Sequence, residues 1–211
     1  MCREACARRR CDRLPRRPSG HRGSRRGYRV RALARRPEQA AARHAADEVF
    51  LGRVTDAATL VGLVDGVDTV FSTIGITRPR DRSGYARLDY GGNLALLREA
   101  ERAGVDRFAY VSVLNGPTLR GSVRLADAKE RFVAELVSSS LRHTIIRPTG
   151  FFADMRAFLA MAERGRCYVV GAGQRRINPI SGRDLAVACA DAAISGVKEI
   201  EVGGPDVFTH E

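Results

Sequence analysis

Residues 6–36 read CARRRCDRLPRRPSGHRGSRRGYRVRALARR, and the two halves of that stretch obey different rules. From Gly27 onward, GYRVRALARR is a buried-strand pattern closed by a basic turn at Arg35 and Arg36. Before it lies an arginine-rich run with the period of neither a strand nor a helix. What that run replaces decides whether the fold is complete.

The charge follows the same division. The chain has 211 residues, enough for one domain whose core needs no disulfides. Its formal net charge is +12, yet residues 1–36 carry 14 arginines against Glu4 and Asp12, and residues 37–211 balance 22 bases with 22 acids. A basic face for nucleic acid is therefore not implied by the global charge. No apolar window has the length of a membrane span. The N-terminus lacks the apolar stretch of a secretory signal, and a cytoplasmic setting is expected. Cys2, Cys6 and Cys11 fall in the basic run, while Cys167 and Cys189 stand alone in apolar contexts, as small buried hydrophobes do. His21, His44, His143 and His210 are scattered and suggest neither a metal site nor a catalytic triad.

Working outward from Gly27, short β-rich runs alternate with longer helical ones. Strands are expected at 28–34, 48–52, 68–75, 107–116 and 143–148, with a last one in KEIEVGG at 198–204. Helices are expected at 37–46, at 55–66 (capped by Thr55 or Asp56 and stopped by Gly66), at 85–103 with Gly104 closing it, at 124–140, at 153–165 and at 182–196. DTVFSTIG, at 68–75, is apolar on both faces, as a central parallel strand must be. The pattern predicts an α/β fold, a doubly wound parallel sheet of the Rossmann-like kind, with its ligand crevice at the carboxyl ends of the strands. Residues 27–211 form that one domain, and it reads as incomplete at its C-terminal end.

A dinucleotide-binding sheet needs a strand, a glycine-rich turn and a helix before Gly27. Residues 1–26 hold only Gly20 and Gly23, and no G-x-G-x-x-G can be written there. The genetic code suggests why. CARRRCDRLPR, residues 6–16, can be encoded so that reading from the second base gives VLVAGATGYLG, an apolar strand running into a phosphate-binding turn. On this reading the first βα unit is missing through a shifted frame. The alternative is a natural, disordered basic extension.

Seven motifs carry a family resemblance: RGYRVRALARRPEQA, GRVTDAATL, VDTVFSTIG, LDYGGNLALLREAERAGVDRFAYVSV, AKERFVAEL, TIIRPTGFF and INPISGRDLA. In this order and spacing they resemble the atypical short-chain dehydrogenase/reductase family, in its NmrA-like branch of NAD(P)-binding proteins. The departures are the absent glycine-rich turn and the absence of residues beyond FTHE, where the family continues with a smaller substrate-side region.

The resemblance implies roles. Arg35 and Arg36 stand where an acidic residue would bind the ribose of NAD. Arginines there offer a donor fork to a 2′-phosphate, which favours NADP, with NAD possible; a solvated basic turn is the other reading. Thr55 and Asp56 lie where the family reaches the adenine ring, and Asp56 also suits a helix cap. Ser72, Thr73 and Gly75 end a strand at the crevice, where hydroxyls would meet a ribose and the glycine would admit the cofactor closely. Ser112 resembles the serine near the nicotinamide. Lys129 resembles the lysine of Y-x-x-x-K, which bonds the nicotinamide ribose and lowers the tyrosine's pKa; an exposed helical lysine is the plainer reading. Leu125 stands in the tyrosine's place and has no proton to give. Arg147, Pro148 and Thr149 would face the nicotinamide, and Gly150, Phe151 and Phe152 the substrate, unless the two phenylalanines are plain core.

The functional expectation is an oxidoreductase-like NAD(P)-binding protein that passes hydride to a small unsaturated or quinone-like acceptor. Its alternative is a dinucleotide-binding redox sensor or assembly factor with a protein partner and no chemistry of its own. No nucleic-acid partner is expected.

Overall fold

The computed structural model describes residues 5–9, 27–36, 46–76, 84–166 and 171–209. Strands β1 (Ala5–Arg9), β2 (Tyr28–Ala34), β3 (Glu48–Leu51), β4 (Thr69–Ser72), β5 (Arg107–Val111), β6 (Arg142–Pro148) and β7 (Glu199–Val202) form one sheet in the order β3-β2-β1-β4-β5-β6-β7. β2 and β3 are parallel, as are β4 through β7. The order reverses between β1 and β4, and the parallel strands end together at Ala34, Leu51, Ser72, Val111, Pro148 and Val202. In a doubly wound sheet that edge carries the ligand crevice.

Side-chain alternation on β5 explains why it sits in the middle. Phe108 and Tyr110 face one cluster with Phe132, Leu136, Leu96 and Leu97, while Ala109 and Val111 face a second with Ile146, Leu185 and Cys189. Helices therefore cover both faces: α1 (Asn93–Arg102) and α3 (Arg124–Ser138) on the first, α5 (Gly182–Ser195) on the second. The large aromatics on one face and small residues on the other set how closely each layer approaches. Two further helices, α2 (Gly116–Leu119) and α4 (Phe152–Ala162), follow β5 and β6 at the crevice edge.

Four sequence expectations are corrected. The first strand is not missing, because Ala5–Arg9 fills its place; it runs antiparallel to both neighbours, pairing Arg9 with Tyr28 and Ala5 with Phe71. The helix expected over 55–66 is only a 3-10 turn, Ala57–Leu60, followed by turns. Gly62 and Gly66 adopt φ of +83° and +63° there, which a right-handed helix does not allow. Asp56 stands at the cap position of that turn, but its side chain makes no cap hydrogen bond. The helix expected over 85–103 begins as a wide π-type segment, Tyr85–Gly92, before α1 continues as a regular helix. The helix expected at 37–46 falls, except for its last residue, outside the described residues, as do Cys167, His21, His44 and His210. Cys189 is buried, as expected. Among the described residues no helix is long and apolar enough to cross a membrane.

Candidate functional site

The wide π-type turns ahead of α1 aim Asp89 and Asn93 inward, under the end of β4. Both are fully buried. Ser72, the last residue of β4, donates its hydroxyl to Asn93 Oδ1, and the Asn93 amide donates to the Asp89 carbonyl at 2.7 Å and the Ile74 carbonyl at 3.4 Å. Ser72 is 0% exposed, and its hydroxyl ties the strand end to the helix. Thr73 is half-buried and Gly75 exposed, both just beyond the end of β4. A Cβ on Gly75 would stand 2.8 Å from Asp89 Oδ1 and 3.2 Å from Lys129 Nζ. The glycine lies directly over this pair of charges.

Lys129 is on α3, and it is not an exposed helical lysine: it is 8% exposed. Its ammonium lies 3.5 Å from Asp89 Oδ1 and donates to the Val111 carbonyl at 3.2 Å and the Tyr110 hydroxyl at 3.4 Å. Burial pulls the Lys129 ammonium below its ordinary value, and Asp89 opposes that. Burial likewise raises the Asp89 carboxyl, with Lys129 opposing. Asp89 Oδ2 accepts from the Ile76 N–H at 3.3 Å, while Oδ1 has no hydrogen-bond partner among the described residues. Leu125, one turn before Lys129, is half-buried and supplies no phenol. A phenol does reach the lysine, from Tyr110, but it faces the core against Phe132, and burial raises its pKa well above the ordinary tyrosine value. Tyr110 is therefore a held, protonated hydroxyl and not an activated one.

A second buried charge cluster ties β5, α3, β6 and β7 together. Arg147 donates from both terminal nitrogens to Glu130, at 2.6 and 3.1 Å, and from Nε to Glu199 at 2.5 Å. Ser112, 4% exposed, donates to Glu130 Oε1 at 3.0 Å. Ser112 and Arg147 thus both bond Glu130 within the protein. Gly116 follows, and a Cβ there would come within 2.2 Å of Glu130 Oε1. The loop backbone lies flat on this ion pair because that residue has no side chain.

Beyond β6, Pro148 is buried and Thr149 donates its hydroxyl to the Asn178 carbonyl at 2.6 Å. Gly150 admits Ile177, whose Cδ1 would lie 2.9 Å from an added Cβ. The two phenylalanines separate. Phe151 packs on the second core, while Phe152 is 46% exposed and meets Phe208 edge-on at 6.2 Å. They form no single wall. Arg35 and Arg36, after β2, and Thr55 and Asp56, after β3, are exposed at the same sheet edge, away from the Lys129 group in the strand order.

The sequence reading missed Asp89, Asn93, Glu130 and Glu199. Glu130 was within reach: Ala126, Lys129, Glu130 and Val133 recur at helical spacing, which places both charges on the inward face. Asp89 gave no such signal, because the π-type turns shift the face it occupies.

A family model described as NAD(P)H-binding matches residues 22–194. The chain belongs to the NAD(P)H-binding family. It is of the atypical short-chain dehydrogenase/reductase type, and nicotinamide dinucleotide is that family's cofactor. The chain is 34% identical over 119 residues to a 3β-hydroxysteroid dehydrogenase/Δ5→4-isomerase of Mycobacterium tuberculosis, covering 51% of this chain and 32% of that protein. It is 28% identical over 202 residues to the divinyl chlorophyllide a 8-vinyl-reductase of Zea mays, covering 86% and 50%. A photosystem II assembly factor, Ycf39 of Guillardia theta, is 32% identical over 111 residues, covering 52% and 35%. The chain thus spans half or less of these relatives. An NADPH-dependent quinone oxidoreductase of Escherichia coli, solved with NADPH, shares the fold at a TM-score of 0.65 and 24% identity, covering 85% and 61%.

Whether the residues present fit the family's cofactor differs between the two ends of the crevice. Gly75, Lys129 and the loops after β5 and β6 lie together on the ligand edge. Among the described residues the pyrophosphate end does not fit. A dinucleotide's pyrophosphate sits on backbone N–H groups of the turn that leaves the first strand at that edge, and here the first strand leaves at Arg9, beside Tyr28 at the opposite edge.

Proposed function

We propose that the crevice along β4, β5 and β6 is the reaction end of an oxidoreductase for a small unsaturated or quinone-like acceptor, with NADP(H) favoured over NAD(H) once the first βα unit is complete. One observation supports this most: Lys129 is held by Asp89 beneath Gly75, while Leu125 denies the site a phenol proton donor. A site with leucine in place of the phenol suits an acceptor whose reduced form takes its proton from water, as a quinone or conjugated double bond does, better than a simple ketone. In this reading Lys129 orients the bound molecule through a charged donor, and Gly75 allows close approach. Arg147, Glu130 and Glu199 keep the strand ends rigid beneath it. In a chain whose residues 6–16 read VLVAGATGYLG, Arg35 and Arg36 would give the preference for a 2′-phosphate.

A second reading is kept by the same Leu125: a dinucleotide-responsive regulator or assembly factor. A relative named as a photosystem II assembly factor is in keeping with it. The two separate in a reductase assay on a variant whose residues 6–16 read VLVAGATGYLG. Quinones or conjugated enones should be reduced with NADPH, and simple ketones should not. Turnover of simple ketones under control of one ionising protein group would overturn the acceptor assignment. No turnover of any acceptor, with intact NADPH binding, would favour the regulator.

A further inference from the structure

In a doubly wound sheet the first strand does two jobs: it fills the sheet between β2 and β4, and its outgoing turn receives the pyrophosphate. Here these jobs come apart. β1 pairs along both neighbours, Cys6 with Arg31 and Val70, Ala7 with Val30 and Thr69, so neither central edge is left bare. Its direction, however, is reversed. Ala5, at its start, lies beside Phe71, next to the ligand edge, whereas Arg9, at its end, lies beside Tyr28, at the far edge.

The connection from β1 to β2 consequently begins and ends at the edge remote from Gly75 and Lys129. Antiparallel neighbours need no crossover helix, and β1 ends at Arg9, on the edge away from Gly75 and Lys129, where an outgoing turn is out of place for a ligand at the other edge. The composition agrees, since residues 10–26 contain Gly20 and Gly23 but no G-x-G-x-x-G.

From this strand direction we infer that the chain keeps its fold while lacking the pyrophosphate cradle, so that only the nicotinamide end of a dinucleotide is gripped. This rests on the crevice assignment made above. It implies that the adenosine diphosphate half adds little affinity, whereas in a protein with a complete first βα unit that half is held by several hydrogen bonds to a charged group.

The test compares two ligands on two chains by titration calorimetry. On the unaltered chain, NADPH and reduced nicotinamide mononucleotide should bind within about threefold of one another, or both fall below detection. With residues 6–16 changed to VLVAGATGYLG, NADPH should gain roughly 100-fold, the worth of about two charged hydrogen bonds, and the mononucleotide should not change. NADPH binding to the unaltered chain as tightly as to the altered one would overturn the inference. Failure of the mononucleotide and NADPH alike on the altered, folded chain would instead count against the crevice assignment. Strand direction gives an independent check if the altered chain does not fold. Hα–Hα cross-peaks between β1 and β4 in the unaltered chain are expected of antiparallel neighbours, and a parallel pattern there would contradict the inference.

Discussion

Gly75 is exposed, yet its one missing methyl is what lets Asp89 and Lys129 lie beneath it. Gly75→Ala should cost about 1–3 kcal/mol by forcing that pair apart, read as a lower urea midpoint. The pair itself should respond to pH in a defined direction. Removing Lys129 leaves the Asp89 charge buried without its partner, so Lys129→Met should destabilise by roughly 3 kcal/mol near neutrality. The Asp89 carboxyl is already raised, so in the variant the folded state takes up a proton that the unfolded state releases. The penalty should therefore shrink as pH falls from 8 to 5. A penalty constant over that range would mean that Asp89 stays ionised. Glu99 shows the opposite sign: the hydrogen bond from Arg102 holds its carboxyl below the usual range, so its contribution is present above the unfolded value and is lost on acidification.

The long elements were legible because their periodicity and their punctuation agree. Over 182–196 the chain supplies Ser181 as cap, whose hydroxyl accepts from the Asp184 N–H at 3.1 Å, and Gly196 as a left-handed stop at φ +76°. Ser181→Ala should cost about 1 kcal/mol in thermal or urea unfolding, and a change below a few tenths would remove the cap from the account. The misread elements lack that agreement. TDAATLVGLVDG has helical spacing, but Gly62 and Gly66 bend it into turns, and tertiary bonds hold it there: Arg31 donates to the Leu63 carbonyl at 2.7 Å, and Gly62 N–H donates to Glu99 at 2.8 Å. Those partners are 32 and 37 residues away, beyond any local pattern. The π-type turns before α1 are hidden for a related reason. Their register depends on seating Asp89 and Asn93 under β4, which no window of the helix itself encodes.

At the scale of the molecule, the doubly wound sheet read from strand–helix alternation survives. What sequence alone could not supply is that a run with arginines at 8–10 still furnishes a central strand, because pairing uses the backbone, and that it does so backwards. Of the candidate site, Gly75 and Lys129 were singled out by sequence and lie close together in the structure. The buried partners of Ser72, Ser112 and Arg147 were not legible, because a polar residue at a strand end looks the same whether it meets a ligand or a buried partner. Across the sheet, Arg35 and Arg36 should confer NADP preference in the variant with VLVAGATGYLG at 6–16. Replacing both by Ala should weaken NADPH binding by about 1–3 kcal/mol while leaving NADH nearly unchanged, with the difference smaller at high salt. Equal losses for both nucleotides would take the arginines out of 2′-phosphate recognition.

The most direct measurement is the NADPH affinity of that variant with and without Lys129→Ala. If the crevice beneath Gly75 is the nicotinamide end, loss of one charged hydrogen bond should weaken binding by about 1–2 kcal/mol, roughly 5- to 30-fold, in a protein that remains folded by circular dichroism. NADPH bound with the same affinity by both proteins would contradict the assignment of this crevice.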